Sequence, residues 1–257
     1  MSSVLSGRRI LLTRPEGQVE PLAARLCGQG AKVGHFPAIK IELTPPNLED
    51  LKLIEQATYV VFASINAVRG LMEALSKYPD ICLAAEIAAI GPATAEALRQ
   101  AGHEHVIVAR PPYNSEALLS TPHLRDLEHR KVMIVRGQSG REKLAEELRN
   151  RGAEVHYLEV YRRDPPGRTL SFKEILDGLP DAICVTSVEI AENLQKCIAP
   201  EEKDDLLNCV LIAGNGRIAA ACCNLGYTAL HGIADNPGDD AMLKALNTRF
   251  SSESSIS

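Results

Sequence analysis

The sequence predicts an α/β fold of two similar domains, each a parallel sheet flanked by helices. Three observations carry this. Strand-like and helix-like stretches alternate along the whole chain, as parallel sheets with right-handed crossovers require. Four segments recur in the same order at a nearly constant spacing, so one α/β script is written twice. The 257 residues are enough for two small domains, although one large domain would also fit that length.

RRILLTRP (8–15) reads as the first strand. EGQVEPLAARLCGQG follows with Val19, Leu22 and Leu26 at helical spacing and a glycine stop. Thr13 and Glu16 stand in the T-x-x-E relation of a capping box. AKVGHFPAIKIEL is a second strand running into an extended piece, which Pro45 and Pro46 break. YVVFAS (59–64) is the next strand, with a helix from Asn66 towards Leu75. IAAIG (87–91) is followed by Pro92, a residue suited to the first helical position, opening ATAEALRQAG. HVIVA is a short strand, and Pro111 and Pro112 lead to a helix near Ser115–Leu119.

At residue 130 the pattern restarts. RKVMIVRG (130–137) matches RRILLTRP (8–15) at an offset of 122, and SGREKLAEELRNRGAEV then matches EGQVEPLAARLCGQGAKV. AICVTSVEIAENL (182–194) repeats YVVFASINAVRGL from Tyr59 at an offset of 123, and VLIAGNGRIAAACCNLGY (210–227) repeats IAAIGPATAEALRQAGH from Ile87 at the same offset. Solenoid repeats are far shorter, so this is a domain duplication. The polar end from Phe250 onward, SSESSIS, is expected to be a disordered tail over 250–257.

Composition narrows the function classes. Hydrophobic residues make up 45% and charged residues 24%, while Trp is absent and aromatics are only 4%, so the core is aliphatic. No run approaches the roughly 18 apolar residues of a membrane span. The start, MSSVLSGRR, lacks the apolar stretch of a secretory signal, so a cytoplasmic protein is expected. Seven scattered cysteines without a C-x-x-C pair point to reduced, mostly buried thiols, with Cys222 and Cys223 packing along one helix. His103 and His105 have no partner at ligand spacing and are placed in a loop, so no metal site is expected. The net charge of −5, with dispersed basic residues, argues against nucleic acid. It leaves room for an anionic small molecule in a local basic cleft.

In parallel sheets, ligands gather beyond the carboxyl ends of the strands. Six loops of Gly, Ser, Thr and Arg fall there: Thr13-Arg14-Pro15, Ser64-Ile65-Asn66, Gly91-Pro92-Ala93-Thr94, Arg136 to Arg141, Thr186-Ser187, and Gly214 to Arg217. Helix capping alone explains any one of them. Six together, drawn from two domains, predict an anion-binding cleft between the domains, because helix starts present N–H groups and positive dipole ends. The candidate contacts are Arg14, Ser64, Asn66, Gly91, Thr94, Arg136, Gly137, Arg141, Ser187 and Arg217. Arg136-Gly137-x-x-Gly140-Arg141 is the sharpest, since two guanidiniums suit carboxylate or phosphate. It lacks P-loop spacing, and Gly214-Asn215-Gly216-Arg217 has no acidic residue placed for a ribose, so nucleotide binding is a minor reading. No nucleophile–base pair is visible. Tyr161, in VYRRDPPG (160–167), reads equally as a packed linker tyrosine or as a phenol at the cleft able to donate a proton.

Taken together, LLTRPEGQ (11–18), FASINAV (62–68), AIGPATAEAL (89–98), VRGQSGREKLAEELRNRGAEV (135–155), VYRRDPP (160–166), TSVEIAENL (186–194) and ADNPGDDAMLKAL (234–246) resemble the uroporphyrinogen-III synthase family, in order across about residues 8–247. The resemblance implies two cross-built domains, one from 1–38 with 168–257 and one from 45–160. They are joined by a two-stranded hinge ribbon at 39–44 and 161–167. It implies that no cofactor or metal is used; separately, a monomer is expected. The implied substrate is hydroxymethylbilane, a linear tetrapyrrole with eight carboxylates, closed with ring D inverted. Loss of the terminal hydroxyl as water gives an azafulvene, ring D attacks at its substituted position, and the spiro intermediate fragments and recloses. The implied proton donor matches Tyr161, while Ser64, Thr94 and Ser187 match cleft positions. Two departures stand out: Ala63-Ser64 where the family often has Thr-Ser, and Gly214-Asn215-Gly216-Arg217-Ile218 in place of G-P-x-T-A, where Arg217 would hold a carboxylate instead. A non-catalytic binding protein for a polyanionic small molecule is the alternative.

Overall fold

The structure, a computed structural model, describes residues 3–138 and 142–254. In chain order its elements are β1 (Arg9–Leu12), α1 (Glu20–Gly28), β2 (Lys32–His35), β3 (Lys40–Leu43), α2 (Leu48–Lys52), β4 (Tyr59–Phe62), α3 (Ile65–Ser76), β5 (Glu86–Ala89), α4 (Pro92–Gln100), β6 (Val106–Val108) and α5 (Ser115–Leu119). There follow β7 (Lys131–Gly137), α6 (Lys143–Asn150), β8 (Glu154–Asp164), α7 (Phe172–Leu176), β9 (Ala182–Val185), α8 (Val188–Cys197), α9 (Lys203–Asn208), β10 (Leu211–Ala213), α10 (Gly216–Asn224), β11 (Leu230–Ile233) and α11 (Asp239–Ser254).

The chain divides into two compact units, one from residues up to Lys40 together with Asp164 onward, the other from Ile41–Arg163. The first holds a five-stranded sheet in the order β11-β10-β9-β1-β2, with every neighbouring pair parallel. Its core packs Ile10, Leu12, Cys184 and Ile212 against Leu22 and Leu26 of α1 and Met242 and Leu246 of α11. The second unit holds a six-stranded sheet in the order β3-β8-β7-β4-β5-β6, parallel from β8 to β6. One face packs Val60, Phe62 and Leu158 on Leu71 of α3 and Leu98 of α4. The other packs Val61, Val132 and Ile134 on Leu118 of α5 and Leu148 of α6. Both units are parallel-sheet α/β structures, the class the sequence predicts. Strand runs such as VMIV are apolar at every position because helices cover both faces of the sheet.

Three local expectations are corrected. The capping box does not form: Thr13 is fully buried and its hydroxyl donates to the Cys184 carbonyl at 2.5 Å, tying β1 to β9. Gly17, at φ +75°, keeps the loop out of helical geometry, and α1 begins only at Glu20, whose carboxylate accepts the Val19 N–H at 3.1 Å. The tail expected to be disordered over 250–257 is helical through Ser254, since Phe250 is 1% exposed in the α1–α11 core and the Arg8 guanidinium lies 4.6 Å above its ring; residues 255–257 lie outside the described residues. The thiols expected to be buried are so only in part: Cys222 is buried in α10 but Cys223, the next residue round the helix, is exposed, as are Cys27 and Cys82. Burial pushes the thiols of Cys184 up to about 12 and of Cys209 and Cys222 up to about 11. These three are inert packing groups at neutral pH.

Candidate active site

Parallel pairing brings the strand ends of each unit to one edge. In the six-stranded sheet, β8, β7, β4 and β5 are successive neighbours. Tyr161, Gly137, Ser64 and Gly91 therefore stand in a row along its carboxyl edge.

Tyr161 owes its place to a single irregularity. Along β7 and β8, Val135 pairs with Leu158 and Arg136 with Glu159, but Gly137 pairs with Tyr161, so Val160 is an extra residue. Without this bulge, Tyr161 would continue the alternation of Tyr157 and Glu159 and face α5 and α6. The bulge turns it instead to the face of Leu158 and Val160, under α3. Two glycines make room. A Cβ on Gly137 would lie 2.6 Å from Cε2 and Cζ of the Tyr161 ring, and one on Gly70 of α3 would lie 2.7 Å from the Val160 carbonyl oxygen. The Gln138 N–H donates to the Tyr161 carbonyl at 2.8 Å, closing the bulge.

The ring is 3% exposed, and its hydroxyl lies 3.1 Å from Ser64 Oγ, within hydrogen-bond reach. Ser64 is the N-cap of α3, with extended backbone, and its Oγ accepts the Ala67 N–H at 3.2 Å. It is only partly buried, the more open of the two residues. The Arg163 guanidinium is 5.9 Å from the Tyr161 ring centre. Gly91 is the N-cap of α4, with open space where a side chain would be. Asn66 and Thr94, in the first turns of α3 and α4, are both 6% exposed and sit among the packing residues of those turns.

Arg136 is engaged inside its own unit. It is 9% exposed, bonds Glu142 at 2.9 Å, lies 3.6 Å from Glu159 through Nε, and stacks 4.3 Å from the Tyr157 ring centre. Tyr157 donates its hydroxyl to Glu142. Burial, then that carboxylate, raises the Tyr157 phenol above its ordinary range, and the bonds from Tyr157 and Arg136 hold Glu142 below the usual carboxylate range. Tyr157, Glu142 and Glu159 were not legible as functional residues in the sequence. The two-residue spacing of Tyr157 and Glu159 on β8 was the available signal. Arg141 lies outside the described residues.

In the five-stranded sheet the corresponding row follows β10, β9 and β1. Ser187 is the N-cap of α8 and accepts the Ile190 N–H at 3.2 Å; Asn215 caps α10 by accepting the Ile218 N–H at 3.0 Å. Arg217 is exposed in the first turn of α10. Arg14 is held by Asp239, by the Pro237 carbonyl at 2.5 Å and by the Gln18 carbonyl at 3.3 Å, which fastens the β1–α1 loop to the start of α11. Its guanidinium therefore anchors a loop in this structure, and Asp239 is a partner that sequence spacing alone did not indicate.

Each sheet's carboxyl edge thus offers helix-start N–H groups and a capping serine; the five-stranded sheet adds the exposed Arg217 and the six-stranded sheet a buried phenol paired with its serine. That chemistry suits anion binding and proton donation. Among the described residues no group of three or more His, Cys, Asp or Glu is placed to hold a metal ion, and no helix is long and apolar enough to cross a membrane.

Comparison with known proteins supplies the context for these groups. The family model described as "Uroporphyrinogen-III synthase HemD" matches residues 20–244. The chain is 32% identical over 250 residues to the uroporphyrinogen-III synthase of Salmonella typhimurium (strain LT2), covering 92% of this chain and 99% of that protein. It is 29% identical over 255 residues to that of Escherichia coli (strain K12), with the same coverage. A crystal structure of mutant uroporphyrinogen III synthase from the extremely thermophilic bacterium Thermus thermophilus superposes with a TM-score of 0.63 at 22% identity, covering 96% of this chain and all of that one. The Helicobacter pylori enzyme superposes with a TM-score of 0.61 at 18% identity, covering 94% and 99%.

Proposed function

This chain belongs to the uroporphyrinogen-III synthase family, and from that premise we propose that it cyclises hydroxymethylbilane to uroporphyrinogen III with inversion of ring D, in haem biosynthesis. The observation that carries the reading is the hydroxyl pair of Tyr161 and Ser64, 3.1 Å apart at the carboxyl edge of a parallel sheet, in a chain that matches the family over 20–244. A linear tetrapyrrole with eight carboxylates needs many donors and little acid–base machinery, because closure without an enzyme already gives the unflipped isomer. The protein's task is to hold ring D where its substituted carbon meets the azafulvene, and such near-attack positioning is worth several orders of magnitude in rate.

The residues take these roles. Tyr161 belongs to the proton supply for the departing hydroxyl. Ser64, Gly91 and Ser187 stand at helix starts, so backbone N–H groups beside them receive carboxylates. Arg217 adds an exposed guanidinium. Asn66, Thr94 and Gly137 shape the rim, and Arg136 and Arg14 hold loops in place while contributing positive charge. Arg141 is assigned to the substrate on its place in the sequence alone. In this reading the enzyme is a cytoplasmic monomer without metal or cofactor, and the chain passages near 39–44 and 161–167 act as its hinge.

Supplying hydroxymethylbilane and resolving the product isomers tests the proposal. Type III product is expected. Type I product at the rate seen in buffer would leave the alternative, a binding protein for a polyanionic small molecule, which the same arginines and N–H groups would serve.

A further inference from the structure

We propose that Ser64 and Tyr161 form a two-hydroxyl relay, in which Ser64 hands the proton to the substrate's departing hydroxyl and Tyr161 resupplies Ser64. The proposal rests on the synthase reading above and reverses the simplest assignment within it, direct donation by the tyrosine. Tyr161 is 3% exposed, with its ring against the backbone of Gly137, and its hydroxyl is 3.1 Å from Ser64 Oγ. Direct donation would require the substrate to take the place of Ser64.

The 3.1 Å contact admits either hydroxyl as donor, and the relay takes the sense in which Tyr161 donates to Ser64. A serine hydroxyl carries one proton and two lone pairs. One lone pair of Ser64 accepts the Ala67 N–H at 3.2 Å. In that sense the other accepts the phenol proton, which leaves the serine's own O–H to point to the exposed side. Two further effects favour this sense. The positive end of the twelve-residue helix α3 stabilises the electron-rich serine oxygen as its proton departs, and hydrogen bonds in series polarise one another.

The step balances. The substrate's C–O bond breaks with its electron pair moving to oxygen, which takes the Ser64 proton and leaves as water. Ser64 takes the Tyr161 proton as this happens. The nitrogen lone pair of the pyrrole fills the carbon's deficit. When the closed macrocycle regains its last pyrrole, the proton lost from ring carbon returns to the phenolate, so the cycle releases one water and no net proton.

The experiment is single-turnover conversion of hydroxymethylbilane by the full chain, with isomers resolved, for wild type, Ser64→Asn, Ser64→Thr, Tyr161→Phe and the Asn/Phe double variant. Asn caps a helix as well as Ser does but has no hydroxyl proton to pass on, whereas Thr keeps both functions. Ser64→Asn is expected to lower kcat about 10²-fold or more with little change in KM, at the scale of a lost general acid. Ser64→Thr restores most of that rate. The double variant is no slower than the slower single variant, as for groups acting as one unit. The rate of the unmodified protein in H2O/D2O mixtures curves with deuterium content, showing two protons in motion, and becomes linear in Tyr161→Phe. A merely structural role would not move that curvature, and its measurement in wild type does not depend on any variant folding. Type III product from wild type, together with near-normal turnover of Ser64→Asn or a linear wild-type response, overturns the relay alone. Wild type giving only type I overturns the synthase reading and the relay with it.

Discussion

Tyr161 and Gly137 face each other across β7 and β8, and a methyl group on Gly137 would fall 2.6 Å from the ring. Neither ring nor strand can move far, because Val160 is pinned against Gly70 on the same bulge. Gly137→Ala is therefore expected to destabilise the chain by about 1–3 kcal/mol, the usual range for overpacking. It should also lower the rate of type III formation, by swinging the phenol away from Ser64. Urea unfolding gives the first number and the isomer assay the second; an Ala variant with unchanged rate would detach the bulge from the chemistry. At this scale the sequence was informative about identity and silent about contact. Tyr161 and Ser64 are both legible as candidates, yet they lie 97 residues apart and no motif contains both. Arg14 and Arg136 are legible as cations, but their engagement by Asp239 and by Glu142 depends on helix starts brought close by folding.

At the scale of elements, apolar periodicity located the strands and helices because it is a local property of a few turns or residues. It was less informative where a tertiary contact overrode a local signal. Thr13 and Glu16 have the spacing of a cap, but Thr13 is drawn into the sheet by the Cys184 carbonyl. SSESSIS is polar enough to suggest disorder, but Phe250 just before it is clamped among Leu5, Leu26 and Leu246. Phe250→Ala is expected to cost about 3–5 kcal/mol, as for other large-to-small changes at fully buried aromatics. A midpoint in urea unchanged from wild type would show that the last turns of α11 contribute nothing. The bulge in β8 has no compositional signature, since Val160 and Tyr161 are both residue types that strands favour.

Across the whole molecule, the first unit is built from both ends of the chain, and the second from one continuous stretch, Ile41–Arg163. β1 lies between β9 and β2, and its Ile10 and Leu12 belong to the same core as Cys184 and Ile212. A fragment of residues 164–257 would thus lack both β1 and β2, leaving a hydrophobic sheet edge uncovered. We expect residues 41–163 alone to show a cooperative thermal transition by circular dichroism, and residues 164–257 alone to show none. A cooperative melt from the second fragment would mean that β1 is dispensable to that unit.

By itself the sequence determined the alternation of strands and helices, the duplication, the α/β class and the family, because each is carried by local periodicity or by short motifs in order. Only the tertiary structure decided which arginines are already engaged and on which face Tyr161 meets Ser64. The meeting of Tyr161 and Ser64 depends on contact between residues 97 positions apart and on one extra residue in β8. A period of two fixes alternation along a strand, but a single bulge reverses the face for everything that follows.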